Sequence, residues 1–412
     1  MAPGFAGIGP AGLKTLDPGG IGINPAMLAY MKLFPSGNDP SQGLDATGSV
    51  VANFEGFRFN APELLSNNVY IARFDYNITR DGHHAIFWRG SMQGLKDDLI
   101  GQQFPGQPAA SQLLNNSRGY SVQYQGQLTP TLINTARYGY TRLGVQQSGV
   151  TGSQFDVRSF TDLLNFNARP LGRIVPVHDI NDDVTWVKGR HTLQFGGVAR
   201  IVKNDRVDDT NSFPFFGANN GFCINLCSDV ANQISGATNP TAITRAFMML
   251  TGSITQVNAT FLGNPSSGSV LPAGTPDARS FAERVYEGYT QDSWRVRSNV
   301  IVTYGLRYTY ETPVWETNGF EVRPTVDIQQ WFNQRIANMN MGIPSDASPL
   351  LSWDLAGKAN KGQNSWYDPY HKGFAPRLAL AYSPSYDSGL LGKVFGGPGK
   401  SSLRIGAGLA TT

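Results

Sequence analysis

Charge is scarce in this chain: Asp, Glu, Lys and Arg make up 15% of 412 residues, against roughly 25% in soluble domains. A water-soluble core wrapped in a charged shell does not fit that balance. The net charge is only +3 and the basic residues are dispersed, which excludes a nucleic-acid surface. No apolar run approaches the roughly 18 residues a membrane-spanning helix needs. The opening MAPGFAGIGPAGLKTL lacks a charged segment followed by an apolar one, so no signal peptide is visible. Cysteine is nearly absent. Cys223 and Cys227, four apart, permit one small local disulfide in an oxidising compartment, and two unbonded thiols fit equally well.

Catalytic and cofactor motifs are missing too. Gly7-Ile8-Gly9-Pro10-Ala11-Gly12 formally matches a dinucleotide loop, but Pro10 interrupts it and no apolar strand precedes it. GGPGKSS at 396–402 has Val394 where a phosphate loop needs its first glycine, and reads as a turn. His83 and His84 are adjacent, so on a strand they point to opposite faces and do not chelate one ion together. Asp97-Asp98, Asp182-Asp183 and Asp208-Asp209 fall at expected strand ends, where solvated charge belongs. There is no GxSxG, HExxH or Cys/His grid. The expectation is no enzyme, no cofactor and no metal site.

What is present is period-two alternation. In VYIARFDYNI, Tyr70, Ala72, Phe74, Tyr76 and Ile78 share an apolar face, while Arg73, Asp75 and Asn77 lie opposite. Tyr120, Val122, Tyr124 and Leu128 oppose Ser121, Gln123, Gln125 and Gln127. Leu193, Phe195, Ala199 and Ile201 oppose Thr192, Gln194 and Arg200. Val300, Val302, Tyr304, Leu306, Tyr308 and Tyr310 oppose Asn299, Thr303, Gly305, Arg307 and Thr309. Leu378, Leu380 and Tyr382, then Leu403, Ile405, Ala407 and Leu409, continue the pattern. About ten strands result, most of about 10 to 13 residues, longer than the mode in globular sheets.

Connections alternate in length as well. Short joins at 80–82, 129–130, 189–190 and 297–298 separate long ones at 95–116, 147–176, 204–280 and 313–373, with an intermediate join at 385–400. Asp81-Gly82 is a hairpin signal. Transmembrane barrels keep short turns on the periplasmic side and long loops outside, and a compact soluble domain has no place for structureless loops that long. The fold class expected is all-β, an antiparallel transmembrane β-barrel with long extracellular loops. Residues 1–66, rich in Gly, Pro and Asn, read as an extracellular loop region, and 67–412 as a partial barrel. Its apolar face would meet outer-membrane lipid, with Tyr304, Tyr308 and Tyr310 in an interfacial girdle. Arg73, Gln123, Gln125, Arg200 and Arg307 would line a polar lumen. Helical character near 229–252 and 326–339 falls inside long loops.

Several stretches resemble a known family. YTQDSWRVRSNVIVTYGLRYTYETP is similar to the QD-x-W and G-L-R-Y region of TonB-dependent outer-membrane receptors, through Gln291, Asp292, Trp294, Asn299, Gly305, Leu306, Arg307 and Tyr308. WVKGRHTLQFGGVAR resembles a second hairpin of that family through Gly189, His191, Leu193, Phe195, Gly196 and Arg200. GFAPRLALAYSP resembles a third through Pro376, Arg377, Leu378 and Tyr382. FNAPELLSNNVYIARFDYNITRDGHHAIFWR suits the Oar-like branch. The resemblance implies a 22-stranded barrel around a plug, importing a siderophore, cobalamin, glycan or peptide with energy from TonB–ExbB–ExbD. A plug, a TonB box and a closing C-terminal strand are not seen, so the chain reads as a fragment whose contact with TonB would pass through a plug outside it. An outer-membrane adhesion or secretion component on the same scaffold is the rival class, and a secreted soluble β-enzyme the third.

Overall fold

In a computed structural model, the structure describes residues 20–32, 34–39, 56–102, 104–149, 156–157, 170–209, 212, 215–217, 248, 250–258, 260–264, 267–320, 322–355, 367, 369–397 and 399–410. Its main body is a twelve-stranded sheet. The strands are β1 (Leu65–Asn77), β2 (His84–Gln102), β3 (Ala109–Asn115), β4 (Arg118–Thr129) and β5 (Leu132–Gln147). After β6 (Asp156–Val157) come β7 (Leu171–Lys188) and β8 (His191–Asp208), then the short β9 (Phe215–Gly217) and β10 (Gln256–Asn258). The sheet resumes with β11 (Asp277–Arg297), β12 (Val300–Glu311) and β13 (Trp315–Glu316). Beyond β14 (Val322–Pro324) and β15 (Trp353–Leu355), it ends with β16 (Phe374–Tyr382) and β17 (Leu403–Gly408).

Each strand of the sheet pairs antiparallel with its neighbours along the order β1-β2-β3-β5-β7-β8-β11-β12-β16-β17. That path has ten members. β4 continues the line of β3 between β2 and β5, and β13 adds two residues to β11. The ten alternating runs of the sequence are therefore the ten staves of this wall. Among the described residues β1 and β17 are not paired with each other, so the wall is open. β6, β9 and β10 form a separate three-stranded sheet, and β14 with β15 a two-stranded one.

The short turns lie where hairpin chemistry puts them. Gly82 at φ 71° and Gly189 at φ 61° take the left-handed conformation that other residues adopt only with strain. The staves are longer than alternation alone suggests: 19 residues in β2, 18 in β7 and in β8, and 21 in β11. Consequently the expected long loop 95–116 is not one. β2 runs on to Gln102 and pairs with β3, leaving a connection of 103–108. Likewise Asp97-Asp98 and Asp182-Asp183 sit inside strands rather than at their ends. The physical reason is that a ladder extending beyond the bilayer meets water on both faces, so its sequence loses the apolar period while keeping its backbone hydrogen bonds.

Among the described residues, α-helices include α1 (Pro25–Met31), α2 (Ile328–Asn340) and α3 (Gly389–Phe395). α1 falls within the stretch read from sequence as loop. α2 lies in the segment expected to be helical; the Asp327 carboxylate caps it by accepting from the Gln330 amide at 2.8 Å. The glycines of the 396–402 stretch that follow α3, Gly396, Gly397 and Gly399, have positive φ, as a turn requires. Residues 7–12, 229–247 and both cysteines, Cys223 and Cys227, lie outside the described residues.

Candidate functional site: the two faces of the wall

Register converts local alternation into continuous surfaces. Tyr70, Phe74 and Tyr76 stand opposite Met92, Trp88 and Ile86. Trp88 and Ile86 stand opposite Val122 and Tyr124, and Val122 opposite Tyr138. Ile180 pairs with Tyr138 and with Ala199, and Ala199 with Tyr286. Tyr286 faces Tyr310; Leu306 faces Pro376, Tyr308 faces Phe374, and Leu380 faces Ile405. Every apolar set named from sequence lands on this one surface. Its residues are exposed, with Tyr70 at 66%, Phe74 at 67% and Leu378 at 58%, and lipid is the solvent that makes such exposure favourable.

Charges mark the outer limit of that band. Lys96, Arg118, Arg142, Lys203 and Arg284 occupy the same face, towards the ends of the strands away from the short turns. Trp186 and Trp294 mark the opposite limit, close to the short turns. Two carboxylates interrupt the band. Asp182 accepts from Asn134 Nδ2 at 2.6 Å. Asp292, only 4% exposed, accepts from His191 Nδ1 at 2.6 Å and from the Tyr304 hydroxyl at 2.9 Å through Oδ2. The Trp294 ring stacks on His191 at 5.5 Å. Sequence reading placed Tyr304 in the girdle but did not see its bond to Asp292.

The opposite face is polar. Arg73 forks onto Asp75 at 2.8 and 2.7 Å, and Arg200 donates to Asp179 at 2.9 Å. Gln291 donates to Gln194 at 3.0 Å, and Arg307 lies 3.4 Å from Glu287. The Tyr289 hydroxyl donates to Asp183 at 2.6 Å, crossing Gly196, where any Cβ would overlap the Tyr289 ring and the Asp183 carboxylate. At Gly305 an added Cβ would come within 2.8 Å of the Thr290 carbonyl and 3.2 Å of Arg377 Nε. The expected lumen residues Arg73, Gln123, Arg200 and Arg307 thus share one surface with Asp75, Arg137, Asp179 and Tyr289; Gln125 joins them opposite Thr135.

His83 lies in the turn before β2 and His84 opens the strand, and the two rings take different partners. His84 Nδ1 meets the Tyr124 hydroxyl at 2.7 Å, and His83 Nδ1 meets Asp81 at 3.1 Å. Among the described residues no group of three or more His, Cys, Asp or Glu is placed to hold a metal. Beyond the band, Asp98 accepts from Gln112 Nε2 at 2.6 Å and from the Leu64 amide at 2.9 Å. The Gln112 side chain, then the Leu64 amide, hold its carboxyl below the usual range. Glu316, 1% exposed, accepts from the amides of Ser280, Asn318 and Phe320 at 3.1, 2.9 and 2.8 Å. It thereby pins the start of the long connection after β12.

Comparison with known proteins agrees with this architecture. A family model described as outer membrane beta barrel domain matches residues 15–410. No curated protein matches the sequence. Among solved structures, the copper transporter OprC aligns at 9% identity and a TM-score of 0.39, over 85% of this chain and 38% of that one. The outer membrane transporter YddB from Escherichia coli aligns at 11% and 0.38, over 83% and 40%. The siderophore receptor PiuA from Acinetobacter baumannii aligns at 9% and 0.32, over 78% and 40%. The chain spans about two fifths of the length of each.

Proposed function

The chain belongs to the outer membrane beta barrel domain family and resides in the outer membrane, and from that premise we propose that it is the barrel portion of a TonB-dependent receptor of the Oar-like kind. In this reading it is a fragment of a binding-and-transport protein in a Gram-negative cell, not an enzyme. It imports a scarce ligand, a siderophore, cobalamin, glycan or peptide, with TonB–ExbB–ExbD acting through a plug encoded outside this sequence.

One observation carries the reading. The motif residues that resemble the receptor family divide between the two faces: Leu193, Phe195, Trp294, Leu306 and Tyr308 lie on the lipid side, with His191 and Asp292 bonded to each other among them, while Gly196, Arg200, Gly305, Arg307 and Arg377 lie on the polar side. Inward ion pairs in a membrane wall are costly unless they face water or a polar partner. A hydrated passage therefore suits them better than an apolar core.

Uptake measurements test the proposal. Cells with and without the complete reading frame are given labelled ferric siderophore, cobalamin, maltodextrin or peptide, before and after a protonophore. Accumulation that needs both the reading frame and the proton gradient is expected for one of these. Accumulation of none, or uptake indifferent to the protonophore, overturns energised transport.

The rival reading, an adhesion component on the same scaffold, has one feature in its favour. α2 carries Ile328, Phe332, Ile336 and Met339 at 51%, 53%, 39% and 68% exposure, an uncovered apolar stripe in an external segment. Loss of cell aggregation on replacing these four by Ser, with uptake unchanged, would decide for it.

A further inference from the structure

We propose that the two neighbouring turns β7–β8 and β11–β12 together form a docking site for the headgroup of an anionic phospholipid in the periplasmic leaflet. The site follows from the wall geometry and does not depend on whether transport is energised by TonB.

The two turns are held side by side because β8 pairs with β11, placing His191 opposite Trp294. The Arg295 amide donates to the Arg190 carbonyl at 2.8 Å. Arg190 Nη1 donates to the Val296 carbonyl at 3.2 Å. One guanidinium thus spans both tips while keeping its remaining N–H groups free for another acceptor.

A β-bulge adds a second cation on the lipid side. Arg295 pairs with Ile301, but Arg297 pairs with Val300, so one extra residue stands at Val296. Regular alternation would send Arg297 inward after Arg295. The bulge instead turns it to the side of Val300 and Val302. Lys188 adds a third, its ammonium lying 4.9 Å over the Trp186 ring on the same lipid-facing row.

Among the described residues no salt bridge joins Lys188, Arg190 or Arg297 to a carboxylate. There is no Asp or Glu at 184–191 or at 293–310. Asp292, just before the second of these stretches, is 4% exposed and committed to His191 and Tyr304. The other two tight turns differ: at 78–83 His83 lies 3.1 Å from Asp81, and Pro130-Thr131 is uncharged.

The position selects the occupant. Trp186 and Trp294 belong to the aromatic belt, at the level of the headgroups. The cations stand just beyond it, where the phosphates of the leaflet lie. Leu193, Phe195 and Val302 continue upward as lipid-facing surface, so the acyl chains of the same molecule have somewhere to lie. Guanidinium forks and a lysine ammonium are the groups that recognise phosphate, and basic clusters beside a membrane span attract anionic lipid.

The test is native mass spectrometry of the full chain, purified from outer membranes in mild detergent and offered phosphatidylglycerol or phosphatidylcholine. The wild type should retain phosphatidylglycerol preferentially, and 0.5 M salt should erase the preference. K188Q/R190Q/R297Q should lower phosphatidylglycerol occupancy on the order of tenfold, R297Q alone by a smaller factor, and R80Q not at all. Equal retention of both lipids by the wild type overturns the proposal. So does unchanged occupancy in R297Q, the variant least able to disturb folding, and so does retention of lipopolysaccharide in place of phospholipid.

Discussion

The Tyr289 hydroxyl donates to Asp183 Oδ1 at 2.6 Å, and so ties β11 to β7 across β8, which lies between them. That reach exists only because position 196 has no side chain. Gly196→Ala would push a methyl into the ring and the carboxylate together. Overpacking of that kind costs about 1–3 kcal/mol. Tyr289→Phe removes only the hydrogen bond, leaving Asp183 to water in the lumen, and should cost about 1 kcal/mol. Urea unfolding of the chain in detergent should rank the two variants in that order; a larger loss in Tyr289→Phe would contradict the geometry.

Asp292 is a buried carboxyl group on the face that meets lipid. Asp292→Ala leaves the Tyr304 hydroxyl and His191 without their shared partner, a loss of about 1–3 kcal/mol for a group left unsatisfied. Tyr304→Phe removes one of the two donors and should cost less. The temperature at which the folded band disappears in heat-modifiability gels reads both. An unaltered transition in Asp292→Ala would mean that the cluster contributes nothing.

Sidedness is testable at Leu306 and Val198. Leu306 is on the apolar face opposite Thr290, and Val198 on the polar face opposite Glu287. Arginine at Leu306 should destabilise the barrel by about 2–4 kcal/mol, the cost of a basic side chain against the bilayer interior. Arginine at Val198, beside the Glu287 carboxylate, should be nearly neutral. Cysteines at the two sites should differ the same way towards a water-soluble maleimide, with Val198→Cys labelled and Leu306→Cys shielded.

The Asp98 clamp sets a pH dependence beyond the bilayer. Its carboxyl is held below its ordinary value by Gln112 and the Leu64 amide. A depressed folded value means that the clamp's contribution is complete above the unfolded carboxylate pKa of about 3.9. It is lost as the pH falls through the lower folded value. Exchange of the Leu64 amide hydrogen should therefore stay slow at pH 5 and accelerate towards pH 3, and Asp98→Asn should be insensitive over that range. Equal acid acceleration in the variant would place the cause elsewhere.

Glu316 should act on the long connection rather than on the wall. Glu316→Ala strips three amides of their acceptor, of which that of Ser280 is buried and those of Asn318 and Phe320 are half-buried; the buried one alone is worth on the order of 1–3 kcal/mol when left unpaired. Proteolysis between residues 312 and 373 should quicken in intact cells, while heat-modifiability stays as in the wild type. Protection equal to the wild type would show the cap to be redundant.

Much of the wall is legible in the sequence. Alternation named the apolar rows from Tyr70 to Leu409 and the inward Arg73, Gln123, Gln125, Arg200 and Arg307, because a stave must satisfy lipid on one side and water on the other. The short turns were legible because Gly82 and Gly189 carry backbone conformations that other residues resist. Strand length was not. β2 runs past Asp97-Asp98 and β7 starts at Leu171, since strands above the bilayer need backbone partners but no apolar period.

The opening scarcity of charge thus had a physical meaning that sequence alone could reach: a protein whose solvent is lipid has little use for a charged shell, and the charges of the lipid-facing side gather mostly at the two limits of its apolar band. Which charges meet was decided by tertiary structure. Tyr289 and Asp183 are 106 residues apart, and His191 and Asp292 are 101 apart. Their meeting depends on the register of strands joined through loops of any length, and on glycines whose purpose is visible only from the neighbour that crosses them. Periodicity is a property of one strand and can be read along it; partnership is a property of two.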